Sequence, residues 1–153
     1  MGSISLGQIK QLRIKTKAGI MDCRVALEES AGDLKKAEDW LRKKGIKSAE
    51  KRTDRPTATG LIETYSHAEG KIVAVVELLC ETDFVARTDD FKKLAHELAM
   101  QVAAMNPENA KKLLAQPYIR DEKVIVGDLV KELIGKTGEN IKVNRIARFA
   151  LGE

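Results

Sequence analysis

Aromatic side chains are scarce in this 153-residue chain: one Trp, two Tyr and three Phe make up 4% of it. Grooves for single-stranded nucleic acid stack successive bases on such rings, so a long base-stacking track is disfavoured. Cysteine is equally sparse. Cys23 and Cys80 lie far apart without Cys-x-x-Cys or Cys/His companions, which argues against both a zinc site and a disulfide framework. No run of 18 or more apolar residues occurs, so no membrane-spanning helix is expected. The start of the chain lacks the apolar core of a secretory signal, and Met1-Gly2-Ser3 reads as a vector-derived opening. The expectation is a soluble cytoplasmic protein with no cofactor and no metal of its own.

Charge, by contrast, is plentiful: 33% of the residues are Asp, Glu, Lys or Arg, with a formal net of only +4. Its distribution carries more than its sum. Residues 1–55 hold 14 Lys/Arg against 8 Asp/Glu, and the remainder holds 13 against 15. Such an asymmetry suits a basic face that meets an acidic partner or a phosphate backbone; a solvated lysine-rich surface is the plainer alternative.

Hydrophobic periodicity divides the chain in the same place. Leu6, Ile9, Leu12 and Thr16 share one helical face, and Cys23, Ala26, Leu27 and Ser30 repeat the spacing after a break at Ala18-Gly19. Asp22 is expected to cap that second helix. Ala31-Gly32-Asp33 supplies a stop and a new cap, after which Leu34, Ala37, Trp40 and Leu41 line a third face that Gly45 is expected to close. Residues 46–59, rich in charge and containing Pro56, read as a linker, helical at first and extended near the proline. This predicts a three-helix module over 1–54 and an α+β core over 55–153.

In the core, Leu61, Glu63 and Tyr65 alternate with Ile62 and Thr64, a turn is expected at Ala68-Glu69-Gly70, and Ile72–Cys80 is a more apolar strand. Thr88 or Asp89 caps a helix with Phe91, Leu94, Ala95, Leu98, Val102 and Met105 on its apolar face. Asn106-Pro107 ends it and opens a short helix through Leu114. Val126, Leu129, Val130 and Leu133 mark a last helix, stopped by Gly135 and Gly138. A third strand runs from Ile141 to Leu151, with a slip of apolar parity between Val143 and Ile146 that predicts a bulge. The fold class is therefore α+β: a three-helix bundle followed by a small three-stranded antiparallel sheet packed with helices. Its open edges make homodimerisation an expectation.

No residue pattern announces catalysis. Gly135-Lys136-Thr137 lacks the earlier glycine of a phosphate loop, since position 130 is valine, and a helix end explains it better. His67 and His96 have no nucleophile or carboxylate at a recognisable spacing. Two short segments stand out instead. Cys80-Glu81-Thr82-Asp83-Phe84-Val85 places a polar pair and a phenylalanine where a buried strand ends; Asp83 as a helical cap and Phe84 as a core lid are the plainer alternative. Ala18-Gly19-Ile20-Met21 puts two large apolar residues between helices, where burial is the default.

These segments carry a family resemblance. The run IKQLRIKTKAGIMDCRVALEESAGDLKKAEDWLRKKG (9–45) resembles the ubiquitin-associated-like module of elongation factor Ts. CETDFVAR (80–87) is similar to that family's core motif, and GENIKVNRIARF (138–149) to a later core strand. The resemblance implies a non-enzymatic translation elongation factor that binds elongation factor Tu in its GDP-bound and nucleotide-free forms, displaces magnesium and promotes GDP release. Carried over by motif, Thr82, Asp83, Phe84 and Val85 would dislocate the partner's magnesium, while Lys10, Arg13, Ile20 and Met21 would dock on its GTPase domain. It also implies a short family form: longer members have two core subdomains, and a second copy could supply the missing surface. The rival reading is a basic module that binds RNA or a nascent chain, although the acidic second half offers no continuous phosphate track. With that track missing, neither direct nucleic-acid binding nor membrane binding is expected.

Overall fold

Local capping chemistry explains most of the helix starts. The computed structural model describes residues 3–153, and part of the opening read as vector-derived lies outside them. Helix α1 (Leu6–Thr16) begins with a capping box in which the Ser5 hydroxyl accepts from the Gln8 N–H and Gln8 Oε1 accepts from the Ser5 N–H. Asp33 caps α3 (Leu34–Ala49) by accepting from the Lys36 N–H at 3.1 Å. Helix α2 (Ile20–Glu29) departs from expectation. It starts after Gly19 with no side-chain cap, and Asp22 sits inside its first turn. There Asp22 pairs with Lys44 at 2.6 Å, tying α2 to α3, which is a better use of the carboxylate than a cap. Ile9, Leu12, Cys23, Ala26, Leu27 and Ala37 form the core of this three-helix unit, but Leu6 is exposed, one turn too early to reach it.

Gly45 does not close α3. The helix continues to Ala49 and tightens into a 3-10 turn at Glu50–Arg52 before the chain extends past Pro56. Its glycine serves a contact across space. Helix α3 crosses the helix at Val126–Thr137, and Gly45 and Gly135 meet at the crossing, where a β-carbon on Gly135 would lie 2.6 Å from the Gly45 Cα. That helix likewise runs through Gly135 and ends at Gly138, whose left-handed conformation (φ 74°) forms the C-cap.

Strands β1 (Thr59–His67) and β2 (Ile72–Cys80) form an antiparallel hairpin around the expected turn. β2 lies at the centre of the sheet, with β1 on one side and the C-terminal strand (Ile141–Ala150) on the other. The predicted bulge is present. Glu77 pairs with Arg145 and Leu78 with Val143, leaving Asn144 as the extra residue that restores the inward parity of Ile146. Inward residues Ala74, Val76, Leu78 and Cys80 are buried beneath helices. The opposite face of the sheet is open, with Ile62 and Phe149 exposed.

A four-residue helix α4 (Asp83–Ala86) leads into α5 (Asp89–Met105), capped by Thr88. Phe91, Leu94, Ala95, Leu98 and Val102 of α5 are buried against the sheet, each large apolar side chain contributing about 1.5–3 kcal/mol. Met105 is half exposed, because Asn106 turns left-handed directly after it and ends the apolar face. The short helix α6 (Ala110–Ala115) is capped by Asn109 rather than by Asn106-Pro107: Asn109 Oδ1 accepts from the Lys112 N–H at 2.9 Å. A two-stranded ribbon then intervenes, β3 (Pro117–Tyr118) and β4 (Asp121–Ile125), which the periodicity did not predict. Buried Gln101 of α5 secures it, donating to the Pro117 carbonyl and accepting from the Ile119 N–H. Helix α7 (Val126–Thr137) and strand β5 (Ile141–Ala150) complete the chain.

Two apolar clusters result, one inside the three-helix unit and one between sheet and helices. Ala49 at the end of α3 belongs to the second cluster, so α3 contributes to both. Among the described residues no helix is long and apolar enough to cross a membrane.

Candidate partner-binding surface

The Thr82–Val85 segment forms an exposed turn at the end of β2. Thr82 leaves β2 in an extended conformation and caps α4, its Oγ1 accepting from the Val85 N–H at 3.5 Å. Phe84 is 86% exposed. It does not cover the core edge; Val85 and Ala86 do, both packed against the main cluster. Asp83 pairs along the helix with Arg87 at 2.6 Å, an exposed pair worth well under 1 kcal/mol. A fully hydrated phenylalanine ring on a well-formed turn is an apolar group with nothing of its own chain to bury against.

The turn is held from the side by residues that sequence spacing did not single out. Glu139 accepts from the Thr82 N–H at 2.9 Å and from its hydroxyl at 2.6 Å. Glu81 accepts from the Asn140 N–H at 2.7 Å. The partners lie nearly sixty residues apart in sequence, so no local pattern could reveal them.

Ile20 and Met21 occupy the first turn of α2, not a loop, and stay exposed at 54% and 66%. Lys10 and Arg13 lie one turn apart on the exposed side of α1. The fold thus brings Thr82, Asp83, Phe84 and Val85 together in one turn, whereas the other four residues belong to the three-helix unit. Many other basic side chains of that unit are engaged in ion pairs: Lys15 with Glu38, Arg24 with Glu28, Lys44 with Asp22.

Between the unit and the core, Lys17 donates to Asp90 at 2.8 Å. This bond raises the Lys17 pKa and is the main cause holding the Asp90 carboxyl below its usual range. Behind Lys17 lies a cleft of about 260 Å³ whose lining includes Arg42, Arg52, Glu132 and Lys136. His67 ends β1 beside Tyr65, and His96 lies 3.7 Å from Glu63. Cys23 and Cys80 are buried free thiols whose pKa values burial pushes up. Among the described residues no group of three or more His, Cys, Asp or Glu is placed to hold a metal.

Comparison with known proteins places this chain in a family. A family model described as Elongation factor TS matches residues 81–153, which include the Thr82–Val85 turn and Glu139. Proteins named Elongation factor Ts match almost the whole chain. The one from Rippkaea orientalis is 43% identical, covering 100% of this chain and 80% of its own length. That from Coprothermobacter proteolyticus is 42% identical, with 98% and 99% covered. That from Oleidesulfovibrio alaskensis is 43% identical, with 99% and 100% covered. These alignments span 195 to 199 positions against 153 residues here, so the relatives carry residues inside the matched region that this chain lacks. With relatives this similar matched over nearly their full length, the chain belongs to the elongation factor Ts family of translation elongation factors.

Proposed function

We propose that this chain is a guanine nucleotide exchange factor for elongation factor Tu: it binds the GDP complex, displaces magnesium and promotes GDP release. The carrying observation is Phe84, an 86% exposed aromatic fixed on a turn beside Asp83. Inserted beside the partner's magnesium site, Phe84 acts as an apolar wedge and Asp83 as a polar contact that holds the displaced conformation. Magnesium joins nucleotide phosphates to protein oxygens, so moving the loops around it removes a large local attraction. No bond is made or broken, and the chain is a binding factor rather than an enzyme.

Linkage sets the energetics. A factor that binds nucleotide-free partner more tightly must weaken nucleotide binding by the same ratio. Reversing a 99:1 preference takes about 5.5 kcal/mol, and burying one aromatic supplies about 1.5–3 kcal/mol. Docking through Lys10, Arg13, Ile20 and Met21 supplies part of the remainder. We assign this division of labour to two units, residues 1–54 and 55–153. The ion-paired basic surface favours a protein partner over RNA, since Lys15, Arg24 and Lys44 already have carboxylate neighbours. Such a factor acts in the cytoplasm.

A second copy is a further partner in this proposal. The edge strands β1 and β5 are unpaired on their outer sides, and the open sheet face adds Ile62 and Phe149. Sedimentation showing a strict monomer at high concentration removes this element alone. The exchange reading is tested by labelled-GDP release from elongation factor Tu. Phe84→Ala is expected to slow stimulated release with the fold intact, and an unchanged rate discards the wedge.

A further inference from the structure

Two carboxylates beside the Phe84 turn form a reciprocal clasp. Glu139 reaches across to the backbone N–H of Thr82, and Glu81 reaches back to the backbone N–H of Asn140. The halves differ in what they control. The Glu81 half joins Asn140, whose buried side-chain amide donates to the carbonyls of Thr53 and Arg55 and so ties down the chain entering β1. The Glu139 half also takes the Thr82 hydroxyl proton at 2.6 Å. With its proton committed to Glu139, that hydroxyl has its lone pairs free to accept from the Val85 N–H.

A helix of four residues cannot hold itself together by propensity, because forming a first turn is unfavourable without outside contacts. The cap that starts α4 is long at 3.5 Å, and the Asp83–Arg87 pair on its surface is exposed. Phe84 itself packs on nothing that would orient it. Its direction is therefore set by the backbone of the turn, and the turn is set at its first residue by Glu139.

We infer that Glu139 is a positioning residue for nucleotide exchange: by fixing the N–H and the hydroxyl of Thr82 it holds the Phe84 turn in its inserting shape before the partner arrives. Conformational freedom that would otherwise be lost on binding is already absent, which raises the share of contact energy available to move the partner's loops. This inference rests on the reading of Phe84 as the wedge.

The experiment is labelled-GDP release from GDP-bound elongation factor Tu with the full chain, recording maximal stimulated rate and half-saturating concentration separately. Glu139→Ala, which removes the acceptor of both the Thr82 N–H and its hydroxyl, is expected to lower the maximal rate at least about tenfold, with half-saturation nearly unchanged. Glu139→Gln, which still offers an oxygen to the Thr82 N–H, is expected to recover most of the rate. Glu81→Ala removes an equivalent bond from the other half of the clasp and is expected to leave the maximal rate nearly intact. Equal losses in Glu81→Ala and Glu139→Ala would mean a merely structural role and overturn the inference. Adding Glu139→Ala to Phe84→Ala should slow release no further, whereas independent, multiplying losses overturn it. If Phe84→Ala slows release and Glu139→Ala does not, positioning fails while the wedge stands; if Phe84→Ala changes nothing, both fail. Should Glu139→Ala not fold, Thr82→Val keeps the N–H bond and the volume and removes only the hydroxyl; an unchanged maximal rate in that variant refutes the inference.

Discussion

Gly135 of α7 presses against the backbone of Gly45 in α3, and the contact is lopsided. A β-carbon on Gly135 would lie 2.6 Å from the Gly45 Cα, whereas one on Gly45 would lie 3.5 Å from the Gly135 Cα. The first is an overlap with backbone that no side-chain rotation relieves; the second is ordinary contact. Gly135→Ala is therefore expected to destabilise the protein by about 1–3 kcal/mol, as overpacking does. Gly45→Ala is expected to be neutral or to stabilise by up to about 1 kcal/mol through helix propensity. Urea denaturation of the two variants checks the asymmetry; equal effects would contradict the crossing geometry.

The Lys17–Asp90 pair links the three-helix unit to the start of α5, and its pH window follows from the shifts. Asp90 has a lowered pKa, so its contribution is present above the ordinary carboxylate value of 3.8 and is lost as pH falls through the still lower folded value. Lys17 has a raised pKa, so its contribution is present below 10.5 and is lost only as pH rises past it. Asp90→Asn should accordingly differ from the parent protein at neutral pH, by an amount that shrinks in high salt, and the difference should fade as pH falls below the ordinary carboxylate value of 3.8. Denaturation midpoints across that range provide the check.

Tyr118 donates to Glu97, which also holds Arg120 at 2.8 Å, and this group anchors the β3–β4 ribbon to α5. Burial and the neighbouring carboxylate push the Tyr118 pKa from 10.0 up to about 12. Because the folded value exceeds the unfolded one, the contribution is full below pH 10 and is lost as pH rises from 10 toward 12. Tyr118→Phe is expected to cost about 1 kcal/mol below pH 10, a deficit that closes above it. A deficit independent of pH would place its cause in packing alone.

Charge and apolar contact at the proposed docking face should separate by their salt response. Lys10→Glu combined with Arg13→Glu is expected to slow association with elongation factor Tu and to flatten its salt dependence. Ile20→Ser combined with Met21→Ser should weaken binding by about 2–4 kcal/mol with the salt slope unchanged, as loss of buried apolar area does. Neither pair is buried in the free chain, so thermal stability should hardly move. Kinetics of complex formation at several ionic strengths distinguish the two; intact affinity in both variants would refute the docking assignment.

What could be read from sequence was local, and what was misread depended on contacts across space. Asp33 and Thr88 are legible caps because their acceptors serve N–H groups three residues away. The Asn144 bulge is legible because the parity slip shows in the strand itself. Gly45 and Gly135 look like helix stops, but both lie inside helices that cross there, and the crossing leaves no room for a β-carbon on Gly135. The β3–β4 ribbon escaped notice because its residues are mostly exposed and its order comes from buried Gln101 on another element. In the same way Phe84 stands out in its motif, while Glu139 gains meaning only when β5's approach brings it beside Thr82.

Because α3 runs unbroken from the α2 contact to its crossing with α7, the N-terminal unit is welded to the core rather than tethered to it. For two patches on a flexible linker, the local concentration of the second after the first binds follows the statistics of the chain, diluted over every span the linker can reach. In the proposed complex, the spacing between the Ile20–Met21 patch and Phe84 acts as a fixed ruler. A partner whose two receiving sites match that ruler meets the second patch at once, and one that does not match gains nothing from the first. In the proposed complex, selectivity among partners then resides in a length, set where Gly45 of α3 meets Gly135 of α7.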